Sequence, residues 1–287
     1  MNMLRHTLIV FAAVMLASCG IYTNYERPAQ AVADMDSLYR PEARPDTTRS
    51  IATLRWEELF TDTCLQQLIR QGLAANADLA VARLQVEEAQ ATLRQSKLAY
   101  LPSVQLEPTG TLSSFDGQKT QKTYSVGASA SWEIDLFGKL RNSKRQALAS
   151  LLASDAYRQA MQTQVVATVA DSYYALLMLD EQIRITEQTA ESWREYVRSL
   201  AALMQAGQAD RATLAQAEAS RLAAESSLLS LQQQAIEQEN ALCVFVGLTP
   251  RRLERGTMDG QHFPSHLSVG VPLDLLSRRP DVRQAEA

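Results

Sequence analysis

Glycine and proline are scarce in this chain, 11 and 9 among 287 residues, and neither occurs from Leu73 to Leu101 or from Lys139 to Ala206. A turn has little to form on without these residues, the strongest punctuators of backbone structure. Each stretch therefore reads as one unbroken helix, the longer of them roughly 100 Å at about 1.5 Å per residue. An ordinary helix has about 11–12 residues, so nothing globular needs such a rod. Histidine is scarcer still. Of the three, His6 lies in the N-terminal apolar segment, and Pro264 between His262 and His266 breaks the i,i+4 helical spacing a metal pair requires. No nucleophile elbow, phosphate loop or metal cluster is present, and acidic pairs such as Glu87 and Glu88 read as solvated helix faces. Neither an enzyme nor a cofactor is expected.

Positive charge is also lacking in excess: 28 Lys and Arg face 32 Asp and Glu, a net charge of −4. No Lys/Arg cluster supplies a phosphate footprint, which argues against a nucleic-acid surface. Aromatics are only 6% of a chain that is 46% hydrophobic, and the excess of Ala, Gln and Leu fits long packed helices.

Three cysteines occur, and the first has a context of its own. Arg5 precedes an apolar run from Leu8 to Leu16, then small residues, the pattern of a secretory signal and too short to span a bilayer. The segment Leu16-Ala17-Ser18-Cys19-Gly20 resembles a lipobox, which implies cleavage before Cys19, its acylation, and sorting to the outer membrane. Cys64 and Cys243 fall on helical patterns as unpaired thiols or, alternatively, a bridge, which spacing does not settle.

Residues 19–50, with Pro28, Pro41 and Pro45, read as an extended linker from the lipid anchor after a signal peptide over 1–18. Helices are expected at about 55–71, 73–101, 139–206 and 208–246, with Gly72, Pro102, Gly207 and the Gly247-Leu-Thr-Pro250 segment as stops. Asp210 caps the last of them. The long helix carries Met161, Val165, Val169, Leu176, Leu179 and Ile183 on one stripe, with Val166, Tyr173 and Leu177 beside it. A seam that wide implies a neighbour on both sides. The helix over 208–246 has a heptad row Ala215, Leu222, Leu229, Ile236 and Cys243, with Leu228, Leu231, Ala235 and Leu242 beside it, while Arg221 and Gln238 interrupt neighbouring rows and keep one side polar. The runs 73–101 and 208–246 together match 139–206 in length, as if two short helices stacked against one long one.

Between the first two long helices lie strands expected at about 104–114 and 123–136. In the second, Tyr124, Val126, Ala128, Ala130, Trp132, Ile134 and Leu136 alternate with small or polar residues, giving one apolar and one wet face. A strand of this kind suits a transmembrane β-barrel, with Tyr124 and Trp132 at the two interfaces; a half-buried soluble hairpin is the alternative. The wet face, Ser125, Ser129, Ser131, Glu133 and Asp135, is the candidate lumen wall, and its two carboxylates are either a source of cation bias or ordinary solvated rim residues. Two strands leave open edges that lipid does not satisfy, so more strands must come from elsewhere.

Eight segments carry a resemblance over the whole length: Leu16 to Cys19; Trp56-x-x-Leu-Phe-x-Asp62; Asn76-x-Asp-Leu79; Leu101-Pro-Ser103; Trp132-x-Ile-Asp-Leu-Phe-Gly-Lys-Leu-Arg141; Gly207-x-x-Asp210; Val246-Gly-Leu-Thr-Pro250; and Leu275-Leu-x-Arg-Arg-Pro-Asp-Val282. In them the chain resembles the first half of a TolC/OprM-type outer-membrane efflux protein of the lipoprotein branch. The resemblance implies a mainly α fold with a β-hairpin, in which long staves of a helical barrel join strands of a transmembrane barrel. It implies a passive export duct in the outer membrane, its helices in the periplasm, working with a periplasmic adaptor and an inner-membrane pump. The family is homotrimeric when full length, with two structural repeats per chain and twelve strands; one repeat alone would need six copies. Residues 51–250 would be the first repeat and 251–287 a linker and the start of the second, since Asp78-Leu79-Ala-Val-Ala82 corresponds to Asp281-Val282-Arg-Gln-Ala285. A fragment or truncated product is therefore expected, and the family's acidic gate would lie in the other half. Trp132, Asp135, Phe137, Gly138 and Arg141 mark the strand-to-helix junction. The turn at Gly207 is either an adaptor contact or a plain turn. A periplasmic coiled-coil lipoprotein acting as adaptor or tether is the second reading, and it leaves the alternating strand without a role.

Overall fold

The computed structural model describes residues 54–114, 116–117, 119–262 and 278–287. The expected signal peptide, Cys19, the linker over 19–50 and His266 lie outside them. The described chain forms two compact units, one of residues 85–155 and 283–287, the other of 54–84, 156–262 and 278–282.

The elements are α1 (Trp56–Leu59), α2 (Thr63–Ala75), α3 (Ala77–Leu98), β1 (Ser103–Ser113), β2 (Gln121–Ser131), α4 (Lys139–Gln205), α5 (Arg211–Phe245), a 3-10 turn (Met258–Gly260) and α6 (Pro280–Glu286). The Gly- and Pro-free stretch does make one helix of 67 residues. Two helical expectations need correction. The segment 55–71 is broken, because Asp62 is extended and its carboxylate accepts from the Cys64 and Leu65 amides, starting a new helix. Gly72 does not end that helix. It lies inside α2, and a Cβ there would stand 3.3 Å from Val165 and Val169, so its missing side chain permits close packing. The true break is Asn76, buried and extended, whose Oδ1 accepts from the Leu79 amide to start α3. Its Nδ2 donates to the Phe245 carbonyl at 2.9 Å, so α5 ends where α3 begins, as the matching lengths imply.

Around that node sits the core of the larger unit: Leu65, Leu68 and Ile69 of α2, Leu79 of α3, Val165, Val169, Tyr173, Leu176 and Leu177 of α4, and Leu242, Cys243 and Val246 at the end of α5. The expected stripe of α4 is thus packed. Cys64 and Cys243 are separate thiols, the second buried and the first half-buried.

Helices α4 and α5 form an antiparallel hairpin. Arg194 pairs with Glu225 at 2.8 Å, and two heptads further from the turn on each helix Arg255 bridges Asp180 and Glu239. Constant register over that distance is the mark of a coiled coil. On α4 the inward stripe runs Ile183, Thr186, Ala190, Trp193, Val197 and Leu200; on α5 it includes Ala217, Arg221, Leu228, Leu231, Ala235, Gln238 and Leu242, all buried or half-buried. Of the two apolar rows expected on α5, the one through Leu228, Leu231, Ala235 and Leu242 faces inward. Ala215, Leu222, Leu229 and Ile236 are exposed, and only Cys243 of that row is buried. Arg221 and Gln238, expected on a polar side, lie in the seam instead. Long side chains allow this by laying their stems along apolar surface with the polar end outward, and the Arg221 head pairs with Glu225 at 2.8 Å.

In the smaller unit β1 and β2 pair antiparallel, Ser103 opposite Ser131 through Ser113 opposite Gln121, without a bulge. Pro108 lies within β1 opposite Val126, on a strand whose other edge is open, where proline is tolerated. Asp116 and Gly117, both with positive φ, turn the chain between the strands.

Candidate channel wall, junction and clasp

The pairing register puts Val104 opposite Ala130, Leu106 opposite Ala128, Pro108 opposite Val126 and Gly110 opposite Tyr124, so the two apolar faces coincide. Every residue of both strands is exposed, Val104 at 79% and Tyr124 at 76%. A Cβ on Gly110 would lie 3.4 Å from the Tyr124 ring, which covers that glycine. On the opposite face Ser103 and Ser131 share a hydroxyl hydrogen bond of 2.7 Å, and Thr109 and Ser125 share another. Ser125, Ser129 and Ser131 stand together there as expected.

Glu133 and Asp135 do not, because β2 ends at Ser131 where β1 has no further residue to offer. The expected strand to residue 136 is thereby corrected, along with the placement of both carboxylates and of Ile134 and Leu136 on it. These residues build the junction. Glu133 pairs with Lys139 at 2.7 Å, and the Arg141 amide donates to Asp135 Oδ2 at 2.9 Å, which satisfies one of the free N–H groups of the α4 N-terminus. Asp135 also suits the positive end of the helix dipole. Gly138, at φ +79°, precedes the helix and its carbonyl accepts from Asn142. The Trp132 indole donates to the Tyr100 carbonyl at 3.1 Å, tying the end of β2 to the residues before β1. Among the described residues Arg141 enters through its backbone amide, and Phe137 is 90% exposed. At the other end of α4, Gly207 has φ +72° and the Gln208 amide donates to the Leu203 carbonyl, closing the helix; Asp210 then caps α5 through Thr213.

A second group of residues, in the larger unit, went unread in the sequence as a site. The Tyr173 hydroxyl, on a fully buried residue, donates to Asp62 Oδ2 at 2.6 Å and accepts from the Gly256 amide at 2.8 Å; Gln261 donates to the same carboxylate oxygen at 2.8 Å. Burial alone would raise the Asp62 carboxyl, but the hydrogen bonds from Tyr173, Gln261 and the Cys64 and Leu65 amides outweigh it and hold it below its ordinary value. Burial, helped by Asp62, pushes the Tyr173 phenol well above its usual range. Arg255 makes a bidentate bond to Asp180, one arm at 2.8 Å, and reaches Glu239, which also accepts from the Leu253 amide. The hydrogen bonds to Asp180 first, and to Glu239, hold its guanidinium firmly charged. Residues 253–261 are thus clasped to α2, α4 and α5. A helix-starting Asp and a buried tyrosine in need of a partner for its hydroxyl were the available signals; the long sequence separation hid the pairing. Removing the cation by Arg255→Met should cost about 1–2 kcal/mol, since it leaves the half-buried Glu239 without its counter-charge while Asp180, 40% exposed at its side chain, is partly rescued by solvent. Guanidinium unfolding of parent and variant measures it; equal midpoints would contradict the clasp.

A two-faced β-hairpin joined directly to a helix of 67 residues, with an antiparallel partner helix closing onto the start of α3, defines the TolC-like fold. The family described as outer membrane efflux protein matches residues 68–248, and the chain belongs to it. It is 28% identical to the toluene efflux pump outer membrane protein TtgC of Pseudomonas putida over 97% of this chain and 60% of that protein. It is 26% identical to the cation efflux system protein CusC of Escherichia coli (strain K12), over 96% and 60%. Among solved structures, the open-state MtrE outer membrane channel of Neisseria gonorrhoeae superposes with a TM-score of 0.72 at 28% identity, covering 93% of this chain and 60% of that one. The chain thus spans about three fifths of the length of these relatives.

Proposed function

We propose that this chain forms part of the wall of a passive export duct in the outer membrane, as the first of two structural repeats, and that it conducts small molecules supplied by an inner-membrane pump through a periplasmic adaptor. The observation that carries this reading is the hairpin. Its strands of 11 residues are long enough to cross an outer membrane. Their apolar residues share one face and their hydroxyl groups the other, the pattern of a barrel with lipid outside and water inside. From Tyr124 to Trp132 the chain advances about 26 Å along the strand, about 20 Å of height at a barrel tilt of about 40°, close to the band about 25 Å tall between two aromatic girdles. Ser125, Ser129 and Ser131 would then line the lumen. Both outer edges of the hairpin are open in one chain, so neighbouring strands are required in lipid. Cys19 would anchor the N-terminus through acyl chains, and the turn at Gly207 would face the adaptor. The relatives' names differ between toluene and cations, which supports leaving cargo choice to the pump.

The exposed row on α5 supports assembly into a trimer. Leu222, Leu229 and Ile236 are all more than half exposed, and a continuous heptad row has the spacing of a second helix contact. Expressed from its natural coding sequence, the protein should fractionate with the outer membrane as heat-modifiable trimers that incorporate palmitate. Leu229→Asp, at a position 68% exposed, should leave the helical content of the single chain unchanged and reduce the trimer fraction at least about tenfold. Monomers released into the periplasmic fraction once Cys19 is replaced by Ser would point to the tether instead.

A further inference from the structure

The cation bias expected of Glu133 and Asp135 loses its basis once both are engaged at the junction, yet the hairpin carries a different carboxylate on its wet face. On that face of β1 and β2 the side chains are Ser, Thr and Gln with one exception, Glu107. It stands near the middle of β1, directly opposite Gly127. A Cβ on Gly127 would meet nothing closer than the Glu107 carbonyl at 3.9 Å, so no cross-strand side chain covers the carboxylate. On the same face Thr109 is bonded to Ser125 next to it, and Ser103 to Ser131 further along the strands. Glu107 itself is exposed and has no hydrogen-bond or ion-pair partner among the described residues. The nearest lysine on the strands, Lys122, pairs with Leu112 on the apolar face and does not neutralise it.

We infer, resting on the channel reading above, that Glu107 is the residue that sets charge selectivity in the membrane-spanning part of the duct. Each copy would place one carboxylate at the same height of a hydroxyl-lined wall, and a ring of like charge in a water-filled pore favours counter-ions over co-ions. Cations and cationic amphiphiles would pass more readily than anions of the same size. The opposing glycine leaves room for the side chain to extend into the lumen, so the ring narrows the pore as well as charging it.

The test is single-channel recording of the whole protein in planar bilayers under a KCl gradient at about 0.1 M, where the screening length is about 10 Å. The parent should be cation-selective. Glu107→Gln, nearly isosteric and on an exposed position, should lower the K⁺/Cl⁻ permeability ratio at least about twofold, and Glu107→Lys should lower it further. Both differences should shrink near 1 M salt, where screening falls to about 3 Å. Glu133→Gln should behave as the parent. A permeability ratio that neither Glu107 substitution moves, in channels that still conduct as trimers, overturns the assignment while leaving the duct reading in place. An equal shift in Glu133→Gln also overturns it. A folded parent that forms no channels at all overturns both.

Discussion

Gly247→Val should lower the unfolding free energy by about 3–5 kcal/mol, the largest effect expected of any single substitution considered. Two independent reasons converge on this position. Gly247 ends α5 with φ +74°, a left-handed conformation from which a β-branched residue is sterically excluded. The conformation is held in place, because the Leu248 amide donates to the Cys243 carbonyl at 2.8 Å and the Gly247 amide to Val244 at 3.0 Å. A Cβ would also stand 2.9 Å from the Ala75 Cβ and 3.0 Å from the Ala75 carbonyl oxygen, and backbone gives way poorly. Gly207 separates the two contributions. It has nearly the same φ, +72°, but a Cβ added there would meet nothing within 4 Å, so Gly207→Val should cost only about 2 kcal/mol of backbone strain. Thermal melting in detergent, followed by helix content, compares the two. Equal melting temperatures for both variants would show that α2 does not approach the end of α5 as described.

Asp62→Ala should follow, at about 3–4 kcal/mol. The substitution removes the cap of α2 and the acceptor shared by Tyr173 and Gln261, and it leaves a fully buried phenol with one bond, from the Gly256 amide, in place of two. Tyr173→Phe should lose less, about 1–2 kcal/mol, because the cap and Gln261 stay. The pH dependence has a definite sign. The Asp62 carboxyl has a folded pKa below its ordinary value of 3.8, so it adds stability above the unfolded pKa, and that stability is lost as pH falls through the lowered folded one. Parent and Asp62→Ala should therefore differ fully near neutral pH and converge below about pH 4. Denaturation midpoints measured across that range decide it; a gap independent of pH would mean the loss comes from packing and not from the carboxylate.

Both positions stood in the sequence inside recognisable segments, yet their importance did not. Asp62 closes the motif that begins at Trp56, and Gly247 opens the stop after α5, so each was visible as a local signal. Their partners lie far off along the chain: Tyr173 is 111 residues from Asp62, and Ala75 meets Gly247 only after α2 and α5 have packed. The candidate wall divides along the same line. Alternation placed Ser125, Ser129 and Ser131 on one face correctly, since the face of a strand follows from period two alone. Alternation continues through Leu136, but a strand needs a partner, and β1 begins at Ser103, so Glu133 and Asp135 passed to the junction. Glu107 does not stand out from pattern, because Pro108 and Gly110 interrupt the alternation of β1, and its isolation on the wet face emerges only once the register is known.

By itself the sequence determined what depends on nearest neighbours: the unbroken 67-residue helix where Gly and Pro are missing, the two-faced hairpin, the turn at Gly207 and the family to which they belong. The tertiary structure decided which apolar row of α5 faces inward. Two rows one residue apart were available, and the choice between the Leu222, Leu229, Ile236 row and the Leu228, Ala235, Leu242 stripe belongs to the partner helix and not to α5. It also decided the clasp at Asp62, Tyr173 and Arg255, because charges and hydroxyls separated by tens of residues acquire fixed partners only when packing removes water from between them.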